Sequence, residues 1–224
     1  MVKRQRIFLL VSTVILCITA IGQATYAATV PAEVIDAANG GLPKFLDLIQ
    51  ADDVRHYGFD NPAELSRVVL GNPFLIYTLW PDDILAFAEG RAVDLPIRPT
   101  SMWQFPVLCD GEVRTLLTVD LMDGRWEAVK IGGLAPGPEM AGLAERWQES
   151  GGYDLKYVHV FQTGSQFIAV TREKTTRFVP IEWTARALGL LHEEEEFRYR
   201  RMNPSEIIPV LAPHVRANVE LIEE

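Results

Sequence analysis

Apolar residues recur at three- and four-residue spacing after Ala28, at two-residue spacing through the middle of the chain, and at helical spacing again near its end. Residues 28–72 read as helical. Pro31 can open a first short helix, which Asn39-Gly40-Gly41 should end. Pro43 opens a second, with Phe45, Leu48 and Ile49 on one side. For a third helix Asn61 is a good cap, Pro62 stands at the first helical position and Glu64 at the third; Leu65, Val68 and Val69 form its stripe and Gly71 stops it. Pro31-Ala32-Glu33-Val34 and Pro62-Ala63-Glu64-Leu65 look alike because both start helices, and the likeness ends there.

The middle is strand-like. Phe74 to Trp80 is rich in β-formers between Pro73 and Pro81. Pro81 to Gly90 suits a helical turn, and Arg91 to Thr100 reads as a loop. Asp110-Gly111 and Asp123-Gly124 are type I′ hairpin signals, which predict strands at 102–109, 112–122 and 125–131. Pairing across them sets Leu121 opposite Trp126, Val119 opposite Ala128 and Leu108 opposite Val113. One face then collects Leu108, Val113, Leu117, Val119, Leu121, Trp126 and Ala128, as an antiparallel sheet with one buried face requires. Leu121 and Trp126 are expected in the core, and Asp120 and Glu127 opposed on the other face.

Gly132 to Gly137 is a link. Glu139 to Glu149 follows as a helix, with Met140, Leu143, Ala144 and Trp147 in its stripe and Ser150-Gly151-Gly152 after it. A third hairpin is expected from 154–162 and 166–172 about a Gly164-Ser165 turn, which sets His159 opposite Val170. A short strand at Thr176 to Val179 leads to a helix from Ile181 to Leu188, stopped by Gly189. Asn203-Pro204-Ser205-Glu206 starts a last helix in the style of Asn61, which Pro209 and Pro213 should break up. Hairpins without a βαβ repeat predict one α+β domain. Its sheet is mainly antiparallel and built from hairpins, with N-terminal helices and helices packed on one face.

The first residues add a compartment. Lys3, Arg4 and Arg6 precede an apolar run from Ile7 to Gly22, and Thr25 and Ala27 satisfy the small-residue rule for a signal peptide cleaved after Ala27. The run is shorter than the roughly 20 residues that span a bilayer. The expected organisation is therefore a signal peptide at 1–27 and one extracytoplasmic globular domain at 28–224, periplasmic or secreted, with no membrane span after cleavage. That domain divides into a helical part at 28–72 and a sheet-containing part at 73–224. Cleavage takes the formal charge from −9 to about −12, which argues against nucleic-acid and anionic-membrane partners. Cys109 is then the sole cysteine, so packing must hold the fold.

Candidate chemistry is sparse. Cys109 could be a nucleophile with His159 as base, but it lies among Asp110 and Glu112, whose charge discourages a thiolate. His159 in its strand reads as a packing residue, and His56, His192 and His214 stand in no metal-ligand spacing. His192 with the run Glu193 to Glu196 reads as a solvated helix end. Asp120 and Glu127 could share a proton or a cation; a wet outer face with Arg114 or Arg125 nearby is the plainer reading. No nucleotide, hydrolase-elbow, redox or calcium motif occurs. No catalytic, cofactor or metal residue is therefore assigned, and no cofactor is expected.

Phe178-Val179-Pro180-Ile181 followed by Ala185 and Ala187-Leu188-Gly189 is similar to a strand-then-helix motif of bacterial cell-surface domains of the copper amine oxidase N-terminal type, over Phe178–Leu190. That motif carries no copper ligand, so the resemblance implies no site. The chain as a whole resembles uncharacterised exported bacterial proteins, which implies a compartment and no activity. The expected function is a non-catalytic binding or protein-interaction domain whose partner is an extended peptide or envelope protein added to a hairpin edge. The alternative is an envelope hydrolase with a dispersed active site.

Overall fold

A computed structural model describes residues 29–133, 153–190 and 200–223. The leader, the helix expected at 139–149, His192 and the run Glu193 to Glu196 lie outside the described residues. The expected α+β class is what the chain forms, with an eight-stranded, mainly antiparallel sheet.

The N-terminal segment is one helix, α1 (Ala32–Leu48), rather than two. Asn39-Gly40-Gly41 does not end it, because Val34, Ala38, Gly41 and Leu42 form a continuous buried stripe against the sheet. Gly41 is there for proximity: a Cβ on it would lie 2.2 Å from the Ala128 Cβ. Pro43 removes one helical bond, but Asn39 and Pro43 are both exposed, on the side of the helix where solvent can replace it. The expected third helix is instead a 3-10 turn (Pro62–Arg67) running into strand β1 (Val68–Leu70), whose pairing with β3 takes Val68 and Val69 out of helical geometry. Its start is as expected: the Asn61 Oδ1 accepts the Ala63 N–H at 3.1 Å. Another 3-10 turn, Val54–Tyr57, lies upstream.

The first meander follows, with β2 (Phe74–Thr78), helix α2 (Pro81–Ala88), β3 (Arg98–Cys109), β4 (Glu112–Met122) and β5 (Arg125–Ile131). β3 starts earlier than expected and absorbs the end of the proposed loop. Both Asp-Gly pairs have positive φ at each residue, as type I′ turns require. Leu121 opposes Trp126, Val119 opposes Ala128, Asp120 opposes Glu127 and Leu108 opposes Val113, as the turns dictate.

Two features depart from the expected face. A bulge between Val107 and Leu108 sets Arg114 as an extra residue in β4. Leu108 alternates with Val107 and Cys109, both fully buried, so the Leu108–Val113 pair leaves the core face. Leu121 and Trp126 lie at the rim and not in the core: Leu121 is 44% exposed and Trp126 half-buried.

The second meander contains β6 (Asp154–Val160), β7 (Ser165–Arg172) and β8 (Thr175–Pro180), followed by α3 (Glu182–Ala187) and α4 (Pro204–Glu223). Its first turn is the four residues Phe161–Gly164, tied by the Thr163 hydroxyl to Ser165. His159 therefore opposes Gln166, not Val170, and Val170 opposes Leu155. The expected break in α4 is also absent. Pro209 and Pro213 sit on its solvent side while Ile207, Ile208, Leu211 and Val215 are fully buried opposite them. Each such side chain stabilises the fold by roughly 1.5–3 kcal/mol, which outweighs two lost helical bonds that water can replace.

The strand order is β5-β4-β3-β2-β6-β7-β8, with β1 beside β2 on β3. The two meanders join through the parallel pair β2–β6, where Tyr77 lies beside Val158. α1 covers Trp103, Phe105, Leu117 and Val119. α2 and α4 pack together over Val158, Val160, Phe167 and Phe178. Leu75 and Tyr77, two apart on β2, join these two cores, so the helices share one side of the sheet. The other side carries Ile168, Val170 and Val179, packed with Tyr153 and Leu155. No helix among the described residues is long and apolar enough to cross a membrane.

Candidate anion-binding site

The residues singled out from sequence do not converge. The Cys109 thiol is fully buried, with the Glu64 carbonyl and the Arg67 guanidinium both 3.9 Å away; His159 is not among its partners. His159 stacks on Phe161 at 4.4 Å and its carbonyl accepts the Thr78 hydroxyl at 2.8 Å, a packing arrangement. His56 meets the edge of Tyr57, and His214 is exposed on α4. Asp120 and Glu127 are relieved locally: Asp120 accepts from Ser101 and from the Leu121 N–H, and Glu127 pairs with Arg125. Among the described residues, no three His, Cys, Asp or Glu side chains gather as a metal-ligand set.

Burial, then the charge of Lys130, holds the His159 imidazole below its usual pKa. Folded protein thus takes up this proton less readily than unfolded chain does. The stability it contributes is present above the unfolded pKa of roughly 6.5 and is lost as pH falls through the folded value. We expect His159→Gln to flatten the loss of stability below roughly pH 6.5. Unfolding midpoints of both proteins across that range would check it, and parallel pH curves would contradict it.

Two arginine clusters remain, and they differ in kind. Arg114 is ringed by carboxylates: Glu112 at 3.1 Å, Glu64 at 3.2 Å and Asp60 at 3.3 Å. The Glu64 side chain is buried and also accepts the Asp60 N–H, so this group ties the Pro62–Arg67 turn to β4. Its guanidinium is more than offset by carboxylates, and the group is structural.

The second cluster is not neutralised by the described residues. It lines a cavity of about 670 Å³ on the sheet face opposite α4, formed by Tyr153, Val170, Arg172, Glu173, Thr175, Arg177, Arg201 and Asn203. Strand register assembles it. Tyr153 leads into β6, Arg172 opposes Thr175 across the β7–β8 turn, and Val170 opposes Arg177. Met202 pairs with Phe178 through both backbone groups on the outer edge of β8, which brings Arg201 and Asn203 alongside. Val170, alternating with Arg172, forms an apolar floor.

Two guanidiniums converge on one neutral oxygen. The Tyr153 hydroxyl accepts from Arg172 at 3.3 Å and from Arg201 at 3.4 Å. These bonds, that of Arg172 first, hold the phenol below its ordinary pKa. Arg172 also lies 5.2 Å from the Tyr153 ring centroid, which fixes its head. Among the described residues its carboxylate partner is Glu173 at 3.9 Å, the limit of an ion pair. Among the described residues, Arg177 has neither carboxylate nor hydroxyl partner. In a chain with 30 acidic and 21 basic residues, three arginines gathered with one carboxylate among the described lining are an unspent positive field.

The turn that presents Arg172 and Thr175 is strained. Glu173 and Lys174 occupy left-handed conformations, φ 49° and 69°, without a glycine. No sequence signal marks this turn, since Glu-Lys is not a type I′ pair. Its strain beside the arginines is a second mark of a site. We expect Lys174→Gly to stabilise the protein by about 1 kcal/mol by removing the Cβ penalty; an unchanged or lowered unfolding free energy in denaturant titration would refute the strain. Compared with known proteins, the chain matches no family model, no curated protein and no solved structure.

Proposed function

We propose that the chain is an exported, non-catalytic binding domain that holds an anionic ligand between Tyr153, Arg172, Arg177 and Arg201. One observation carries this reading: two guanidiniums meet on a single tyrosine hydroxyl, and among the described residues the carboxylate paired with them is Glu173, 3.9 Å from Arg172. Such a set is unfavourable when empty and favourable around an anion, since arginine matches oxyanions through paired, charge-assisted bonds. Binding is preferred to hydrolysis because the described lining contains no cysteine, serine or histidine. It is also preferred to strand addition. The outer edge of β8 is already engaged by Met202, and β5 carries Arg125, Glu127 and Lys130, charges of the kind that guard an edge.

The test is a titration of the purified exported protein with inorganic phosphate and with citrate at constant ionic strength, followed by NMR of the arginine side-chain N–H groups. Saturable shifts at Arg172, Arg177 and Arg201 are expected with at least one of the two. Shifts that never saturate, or that spread evenly over all arginines, would overturn the reading. Export itself rests on the leader at Lys3 to Ala27. N-terminal sequencing of the exported form is expected to begin at Ala28, and an intact Met1 retained in the membrane would contradict it.

A further inference from the structure

We infer that the anion taken by this pocket is a small phosphate monoester, a doubly charged phosphoryl group on a compact organic body. The inference rests on the anion-binding reading and specifies its ligand.

Charge is the first ground. In the described lining Arg172, Arg177 and Arg201 supply three positive charges and Glu173 one negative, which leaves an excess that a dianion balances and a single carboxylate does not. A phosphate monoester carries about −1.5 to −2 near neutral pH. Approach direction is the second. The donors come from four neighbouring lengths of chain: Tyr153 before β6, Arg172 on β7, Arg177 on β8, and Arg201 on the edge segment. Donors spread in this way suit a tetrahedral group with three free oxygens, whereas a planar carboxylate is served by one arginine in its own plane. Size is the third. About 670 Å³ lies within the roughly 300–1,000 Å³ of sites for whole organic molecules and far exceeds a bare oxyanion. The half-buried Tyr153 ring gives the ester body an apolar surface to rest on. A soluble ester is favoured over a lipid headgroup, because a chain of net charge −9, or about −12 without the leader, is repelled by an anionic bilayer.

Calorimetry on the purified exported protein tests this with phenyl phosphate, inorganic phosphate and benzoate, at constant ionic strength. Phenyl phosphate is expected to bind at least about tenfold more tightly than either of the others. Its affinity should fall by about tenfold on going from pH 7 to pH 5, as the second phosphate proton with pKa near 6 is taken up; that of benzoate should not. Arg177→Ala should weaken phenyl phosphate by about tenfold or more. Benzoate binding as well as phenyl phosphate would overturn the phosphate assignment and leave an anion site standing. Inorganic phosphate binding as well as the ester would overturn the organic body. Failure of all three, together with failure of citrate, would remove the anion-binding reading itself.

Discussion

Alanine at both Arg172 and Arg201 is expected to weaken anion binding by roughly 100-fold while leaving the ligand-free fold at least as stable as the parent. The two effects have one cause. Each guanidinium donates to the Tyr153 hydroxyl, so two like charges are held against one neutral oxygen. With an anion present, each would offer charge-assisted bonds, and losing both removes most of the recognition. Without an anion they repel, and among the described residues neither has a carboxylate closer than Glu173, 3.9 Å from Arg172, to lose. A structural pair behaves in the opposite sense, as Arg114 should among Asp60, Glu64 and Glu112, because its removal strands the buried Glu64. Calorimetry and thermal unfolding on the double variant separate the cases. A lower unfolding midpoint with unchanged binding would show the cluster to be scaffolding.

Gly41→Ala should destabilise the fold by roughly 2–3 kcal/mol, although alanine is the better helix former. In an isolated helix the change is worth about 1 kcal/mol in the other direction. Here the added methyl would sit 2.2 Å from the Ala128 Cβ, well inside any contact two carbons can make. α1 must then lift from β5, and the core below it, Val34, Ala38, Leu42, Trp103 and Leu117, loses its packing. Ala128→Gly opens the same space from the strand side, so the double variant should recover most of the loss. A denaturant-unfolding cycle over the four proteins measures this coupling. Additive effects would mean that the helix does not meet the sheet at this point.

The first meander is legible because its turns are chemically marked. Asp110-Gly111 and Asp123-Gly124 demand positive φ, and from them the pairings Leu121–Trp126 and Asp120–Glu127 follow. The bulge at Arg114 has no such mark, so Leu108 and Val113 read as core from sequence and are not. Local rules also mislead at Gly41, Pro209 and Pro213, where tertiary packing outweighs the helix-breaking preference. Composition shows an acidic chain without catalytic motifs, but the arginine site is invisible in it. Arg172, Arg177 and Arg201 are scattered along the chain. Only the unmarked Glu173-Lys174 turn and the pairing of Met202 with Phe178 bring them together. The Phe161–Gly164 turn matters in the same way for the tyrosine, since the Gly164-Ser165 turn expected from sequence moves Leu155, and with it Tyr153, away from Val170.

The central claim, that these arginines hold an anion, is tested most directly by ligand-linked stability. The unfolding midpoint of the parent and of the Arg172→Ala, Arg201→Ala variant is measured against increasing concentrations of phenyl phosphate and of benzoate at fixed ionic strength. For the parent, the tighter of the two ligands should raise the midpoint by roughly 5–10 °C at about 100 times its dissociation constant. The variant's midpoint should not move over the same range. A parent midpoint unmoved by either ligand, or one that rises equally in the variant, would contradict the account.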